Sequence, residues 1–304
     1  MENEKEFKSG YVAVMGRPNV GKSTLMNALL GQKVAAVSMR PQTTRRQQLG
    51  ILTTDYAQIV FTDTPGLHKA RHKLGGHMNN EALAALEDAD VALFVVDASL
   101  YPQEEDRMLA EAIQGLRHIP PVVMALNKVD LIAEDDLEAR KEAYAKLLPK
   151  ATLSRVSALT GINLGGLLES ILEFLEPGPA FYPEDQVTDL YEREIASDLI
   201  RESALILLRD EVPHGIAVRI DDFTERGDSG AYIEATLFIE RESQKGIVIG
   251  KGGEMLKKIG TAARKEIEAM SGRKVFLRMR VKVKKNWRND ENFLRLFKFD
   301  KGKK

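Results

Sequence analysis

Apolar residues recur in two patterns along this chain. Up to residue 176, short unbroken apolar runs alternate with amphipathic stretches. The runs Tyr11-Val12-Ala13-Val14-Met15, Ile59-Val60-Phe61 and Val122-Val123-Met124-Ala125-Leu126 are too short for buried helices. Each is a strand with both faces covered. The stretches between them predict helices from Ser23 to Leu30, Glu134 to Leu148 (stopping at Pro149) and Leu164 to Glu176. Another is headed by Pro102, with Glu104, Glu105 and Asp106 in a first turn that suits the helix dipole. Leu167, Leu168, Ile171, Leu172 and Leu175 form one stripe of the last helix and read as core. Residues 43–51 straddle a loop and an edge strand. Strand–helix alternation of this kind predicts an α/β domain, a mostly parallel sheet with helices on both faces.

The pattern breaks at Glu176-Pro177-Gly178-Pro179-Ala180-Phe181-Tyr182-Pro183-Glu184-Asp185. Three prolines and a glycine in ten residues make a stiff linker. The domains are therefore expected at 1–176 and 189–304, joined by 177–188. The second half predicts a smaller α+β domain. A helix fits 189–208, with Leu190, Ile195, Leu199 and Ile206 among its apolar positions. Strands fit 216–220 and 232–240. A helix ends near Met270, and a last strand covers 275–284. In that strand Val275, Leu277, Met279, Val281 and Val283 alternate with Arg278, Arg280, Lys282 and Lys284, with Phe276 interrupting the basic side.

Charge sharpens the division. The 304 residues carry a net charge of −1. From Arg241 to Lys304 there are 20 Lys+Arg and 7 Asp+Glu, a balance of +13, which leaves −14 for residues 1–240. A basic half-domain on an acidic chain points to a polyanion partner, nucleic acid or anionic lipid. Cysteine is absent, so disulfides and Cys-ligated zinc are excluded. The first ten residues are polar and charged, and no apolar run approaches the eighteen or so residues of a membrane span.

Chemistry concentrates where the strands end. Gly16-Arg17-Pro18-Asn19-Val20-Gly21-Lys22-Ser23, followed by Thr24, fits the phosphate-binding loop G-x-x-x-x-G-K-[ST] between a strand and a helix. Glycines let backbone N–H groups converge on a polyphosphate, and the helix start adds positive partial charge. Lys22 would reach the β- and γ-phosphates, and Ser23 would give an oxygen to Mg²⁺. Asp63-Thr64-Pro65-Gly66 follows the second run. Asp63 can hold the Mg²⁺ hydration shell, and the Gly66 N–H can approach the γ-phosphate. Asn127-Lys128-Val129-Asp130 follows the third. A carboxylate at Asp130 accepts from N1–H and the N2 amine of guanine, whereas adenine would leave it unpaired. Ser157-Ala158 would present a backbone N–H to guanine O6.

Four such motifs in this order resemble the Ras-like GTPase superfamily. The resemblance implies a Mg²⁺-liganding threonine in the loop Thr43-Thr44-Arg45-Arg46, with Thr44 preferred over Thr43. Arg45 and Arg46 are read as solvent-exposed rather than as an arginine finger. Where relatives carry a water-positioning Gln, this chain has Leu67, so hydrolysis is expected to be slow or to use another element. The resemblance extends to a subgroup with a hydrophobic residue there and an Asn in the phosphate loop. In that subgroup the Asn helps bind K⁺, so Asn19 either binds K⁺ or shapes the loop. Lys22, Thr44, Gly66 and Asn19 are the expected catalytic set.

In the second half, Gly250-Lys251-Gly252-Gly253 after Ile249 resembles the Gly-x-x-Gly loop of KH domains, in the type II arrangement. Such a loop clamps about four nucleotides by their backbone. The resemblance turns 246–249, a strand by local propensity, into a helical turn. Ile247, Val248 and Ile249 would line a groove for bases, with Lys257, Lys258, Arg280, Lys282 and Lys284 as further RNA contacts. A Ras-like GTPase followed by a type II KH domain resembles the Era family over nearly the whole chain. That implies GTP/GDP and Mg²⁺ as ligands, and small-subunit ribosomal RNA near its 3′ end as partner. It also implies assistance to 30S subunit assembly, a cytoplasmic monomer, and peripheral contact with membrane. His68, His72 and His77 read as loop histidines rather than a metal site. Trp287 either stacks on a base or packs. Phe293, Leu294, Leu296, Phe297 and Phe299 form an apolar tail that docks on its own domain, RNA or lipid.

Overall fold

The computed structural model describes residues 6–37, 45, 47–65, 72–209, 212–225 and 230–297. The chain divides into two compact units, drawn mainly from residues 1–189 and 190–304.

The first unit contains β1 (Lys8–Met15), α1 (Lys22–Leu30), β2 (Gln48–Thr54), β3 (Ala57–Asp63), α2 (Lys73–Glu87), β4 (Val91–Asp97), α3 (Glu104–Gln114), β5 (Val122–Asn127), α4 (Glu134–Ala145), β6 (Thr152–Arg155) and α5 (Leu164–Leu172). The strands form one sheet in the order β2-β3-β1-β4-β5-β6. All neighbours run parallel except β2, which pairs antiparallel with β3 at the edge. Successive side chains serve opposite cores. Val12, Val14, Leu93, Val95, Val123 and Ala125 pack on the α1 and α5 side. Ala13, Met15, Phe94, Val96, Met124 and Leu126 pack with Ala82, Leu109 and Tyr144 on the other. Full burial on both faces is why these strands read as unbroken apolar runs. Helices α4 and α5 end sooner than the periodicity suggests.

Residues 176–189 run along this unit. Glu176 O accepts from Ser9 N at 3.2 Å, and Gly178 N donates to Phe7 O at 3.0 Å. Gln58 Oε1 accepts from the N–H groups of Phe181 and Tyr182, and its Nε2 donates to Tyr182 O. Val187 O accepts from Ile51 N at 2.8 Å.

The second unit contains α6 (Glu192–Leu207), β7 (Ala217–Glu225), β8 (Ala231–Ile239), α7 (Glu242–Ile249), α8 (Glu254–Ser271), β9 (Val275–Val283) and α9 (Glu291–Leu296). Its sheet runs β7-β8-β9, the first pair antiparallel and the second parallel. One face is closed by Ile195, Leu199, Ile259, Ala263 and Ile267 against Ile233, Leu237 and Val275. Ile206, expected among the apolar positions of α6, is exposed. Residues 246–249 are helical despite their β-branched content, because Val248 is buried in this core. Trp287 is fully buried, its Nε1–H donating to Gly215 O at 2.8 Å, so it packs and offers no face to a base. Phe293 and Phe297 pack edge-on to Phe238, which docks the tail on its own unit as far as residue 297.

Candidate nucleotide and RNA sites

The parallel strands bring four loops to one sheet edge, the carboxyl ends of β1, β3, β5 and β6, where α/β sheets open a crevice for ligands. The first loop cannot be built from other residues. A Cβ on Gly16 would sit 2.4 Å from Val95 O, and one on Gly21 (φ +101°) would sit 2.4 Å from Asn127 Nδ2. Lys22 is buried and curls back, donating to Gly16 O at 2.9 Å and Arg17 O at 3.1 Å. Burial pushes its ammonium down to about 8, opposed by the nearby Asp63 carboxylate. A polyphosphate would supply the charge this ammonium lacks.

Ser23 Oγ donates to Asp63 Oδ2 at 3.0 Å, and Gln48 Nε2 lies 3.4 Å from the same oxygen. A hydroxyl beside a buried carboxylate is the hard-oxygen donor pair that Mg²⁺ uses together with phosphates and water. Among the described residues there is no cluster of three or more His, Cys, Asp or Glu able to hold a metal. Thr64, expected with the nucleotide, is fully buried and donates Oγ1 to Val14 O at 2.8 Å, bracing the strand end. Pro65 follows it and is also buried. Thr43, Thr44, Arg46, Gly66, Leu67 and His68 lie outside the described residues. Arg45 lies within them and is buried, which corrects the expectation of a solvent-exposed arginine.

The base-recognition loop is tied to the phosphate loop by one side chain. Asn127 Nδ2 donates to Val20 O at 2.8 Å, while its Oδ1 accepts from Ala158 N at 2.9 Å. Lys128 holds a left-handed backbone (φ +68°) and donates to Asn19 O at 2.9 Å. Asp130 is exposed, with its carboxylate available to a base. The backbone N–H groups expected at guanine O6 are engaged inside the protein: Ser157 N donates to Ile162 O, and Ala158 N to Asn127. Exposed Asn19 and half-buried Pro18 sit at the loop tip.

Two buried acids complete the scaffold and carry no motif. Asp97 accepts from Lys128 Nζ at 2.6 Å and lies 3.8 Å from Arg17 Nη2. Asp106 accepts from Arg17 Nε at 3.2 Å and caps α3 through Gln103 N at 2.9 Å. Burial raises the Asp106 carboxyl above the usual carboxylate range, against the pull of Arg17. Arg17 therefore braces the loop from behind. The pattern that marks Asp63, an acid ending an apolar strand, is present again at Asp97.

In the second unit, Gly250 (φ +76°) bridges α7 and α8, and a Cβ there would sit 2.7 Å from Met255 N. Gly252 and Gly253 are also left-handed and open to solvent, so a phosphate can approach the backbone closely. Lys251 is exposed at the tip. Val248 is core, which leaves Ile247 exposed and Ile249 half-buried beside the loop. The other expected RNA contacts do not share one surface. Lys257 and Lys258 line a groove with Glu202 and Ile206 toward α6. Arg280, Lys282 and Lys284 alternate with core residues of β9 and so point to the sheet face away from α8. Two of them are neutralised, Arg280 by Asp221 at 2.9 Å and Lys284 by Asp290 at 2.7 Å.

Such a phosphate loop, acid-ended strand and base loop on a mostly parallel sheet, followed by a Gly-x-x-Gly domain, define a P-loop GTPase carrying a KH domain. Family comparisons agree: residues 11–128 match the family described as "50S ribosome-binding GTPase", and residues 211–288 match the KH domain. A GTPase Era of Ruminiclostridium cellulolyticum is 46% identical over 95% of this chain and 96% of its own length. One from Geotalea uraniireducens is 45% identical over 98% and 99%. A crystal structure of Era with MgGDPNP and nucleotides 1506-1542 of 16S ribosomal RNA superposes with a TM-score of 0.92 at 40% identity, covering 96% of this chain and 99% of that one. A point variant of Aquifex aeolicus Era bound to GDP.AlF4- gives 0.91 at 39% identity, with the same coverage. The chain belongs to the Era family of GTPases.

Proposed function

We propose that this GTPase is a switch that binds the 3′ region of small-subunit ribosomal RNA through its KH domain and assists maturation of the 30S subunit. The observation that carries this is the near-full-length likeness to a relative crystallised with a GTP analogue and 16S rRNA nucleotides together. GTP orders the loops around Thr44 and Gly66, and hydrolysis releases that state. Ser23 and Thr44 would ligate Mg²⁺ and Asp63 would hold its hydration shell, and the ion would supply charge neutralisation at the phosphates. Leu67 cannot orient a water, so intrinsic turnover is slow. Asn19, exposed at the tip of the phosphate loop, would ligate K⁺ and so add positive charge near the phosphates, and equal turnover in K⁺ and Na⁺ would sink that assignment. The reading takes the protein to act in the cytoplasm as a monomer. Anionic membrane is a secondary, peripheral contact of the basic half.

Coupling between two ligands is reciprocal in free energy. Fluorescence anisotropy with an RNA of the 16S 3′ end should therefore give tighter binding with a non-hydrolysable GTP analogue than with GDP, and RNA should tighten the analogue relative to GDP by the same factor. Equal RNA affinity in both nucleotide states would remove the switch. Binding to anionic vesicles that this RNA does not displace would favour a membrane role.

A further inference from the structure

Strand β2 enters the sheet at Gln48, the residue directly opposite Asp63 in the antiparallel pair with β3. Opposite residues of such a pair carry their side chains on the same face. That face looks at α1. Gly50 and Leu52 share it by alternation. A Cβ on Gly50 would lie 2.7 Å from Leu30 Cδ1, and Leu52 packs on the core that holds Leu25 and Met26. The first turn of the same helix carries Ser23. Side chains from three elements therefore meet at one carboxylate oxygen. Asp63 Oδ2 accepts from Ser23 Oγ at 3.0 Å and from Gln48 Nε2 at 3.4 Å. An ionised carboxylate only accepts, so the amide must turn its NH₂ end toward it.

Packing alone does not call for an amide here. Gln48 is 5% exposed, and its neighbours on that face, Gly50 and Leu52, are apolar. Burying an amide costs free energy unless it is hydrogen-bonded, and Asp63, also fully buried, is the group it reaches. Gln48 is also held firmly. On the inner side β2 pairs with β3 along its whole length. On the outer side Leu49 N donates to Asp189 Oδ1 at 3.0 Å and Ile51 N to Val187 O at 2.8 Å. A strand tied on both edges gives the amide a fixed base from which to hold another side chain.

We propose that Gln48 is a positioning residue for the Mg²⁺ site: its amide holds the Asp63 carboxylate in the orientation in which that group meets the ion's hydration shell. The inference rests on the Mg²⁺ reading given above for Ser23 and Asp63. Loss of a partner that orients a metal-binding group typically weakens metal binding by 10–100-fold. Gln48 acts through a carboxylate that meets the ion's water, which sets its effect at the lower end of that range.

The test follows release of a fluorescent GDP analogue from the full-length chain as Mg²⁺ is titrated against EDTA. Mg²⁺ should slow release from the wild-type chain. Gln48→Met keeps the side chain's length and removes the donor. Gln48→Asn keeps the donor and withdraws it by one methylene. Both variants should raise the Mg²⁺ concentration for half-maximal slowing about tenfold, with release in EDTA unchanged. An unchanged Mg²⁺ midpoint in both variants would overturn the role of Gln48 and leave the Mg²⁺ reading standing. Release accelerated by the same factor in EDTA and in Mg²⁺ would also overturn it, because that marks a general loosening of the phosphate loop. Wild-type release indifferent to Mg²⁺ would remove the Mg²⁺ reading and the Gln48 role together.

Discussion

Replacing Asn127 by alanine should unfold the first unit far more readily than any loss at the neighbouring recognition carboxylate. Asn127 is 1% exposed and satisfies two buried backbone groups on different loops, Val20 O and Ala158 N. Truncation strands both, because each loses its Asn127 partner at a buried position. Each buried polar group left unsatisfied costs about 1–3 kcal/mol, so the pair amounts to about 2–6 kcal/mol. For a domain of this size each kcal/mol lowers the melting midpoint by about 2–4 °C, so the transition should fall by roughly 5–20 °C. Asp130→Ala is the control: the side chain is exposed and should shift the midpoint by little, while abolishing the preference for guanine over adenine nucleotides. The assay is thermal unfolding of the nucleotide-free chain, paired with competition binding of GDP and ADP. An Asn127→Ala midpoint within about 2 °C of wild type would refute the claim that this side chain clamps the two loops together.

Two further outcomes follow from the geometry. Burial holds the Lys22 ammonium down to about 8 in the free protein, and bound polyphosphate favours the charged form, raising its pKa. Above about pH 8, nucleotide binding must then take up a proton, and the association constant should fall by up to tenfold per pH unit, having been flat below about pH 7; affinity constant to about pH 9.5 contradicts this. Trp287→Ala removes a fully buried indole and its bond to Gly215 O, which should destabilise the KH unit by about 3–5 kcal/mol while GDP binding persists. A single undisturbed unfolding transition would contradict the packing role.

Most of the first unit is legible in the sequence because its determinants are local. Strands buried on both faces appear as unbroken apolar runs, and the loops after them carry residue types that only phosphate or guanine chemistry requires. What stays hidden is held by distant partners. Asp97 and Asp106 look like surface acids until the fold sets them beside Arg17 and Lys128. Arg45 looks solvent-exposed and is buried. In the second unit, Gly246–Ile249 has strand propensity but is helical because Val248 fills the core. The basic residues of α8 and β9 form one cluster in composition. The strand's alternation and the turn of the helix send them to separate surfaces, which no charge count distinguishes. Ile206 fits the apolar stripe of α6 by spacing yet faces the groove beside Lys257 and Lys258.

The central claim, that one chain couples GTP chemistry to ribosomal RNA, is tested most directly by GTP turnover in K⁺ and Mg²⁺ with and without a short single-stranded RNA from the 16S 3′ end. The account predicts slow turnover alone and clear stimulation by RNA, lost in a Gly252→Asp variant whose loop repels phosphate. Turnover unchanged by an RNA that demonstrably binds would contradict it.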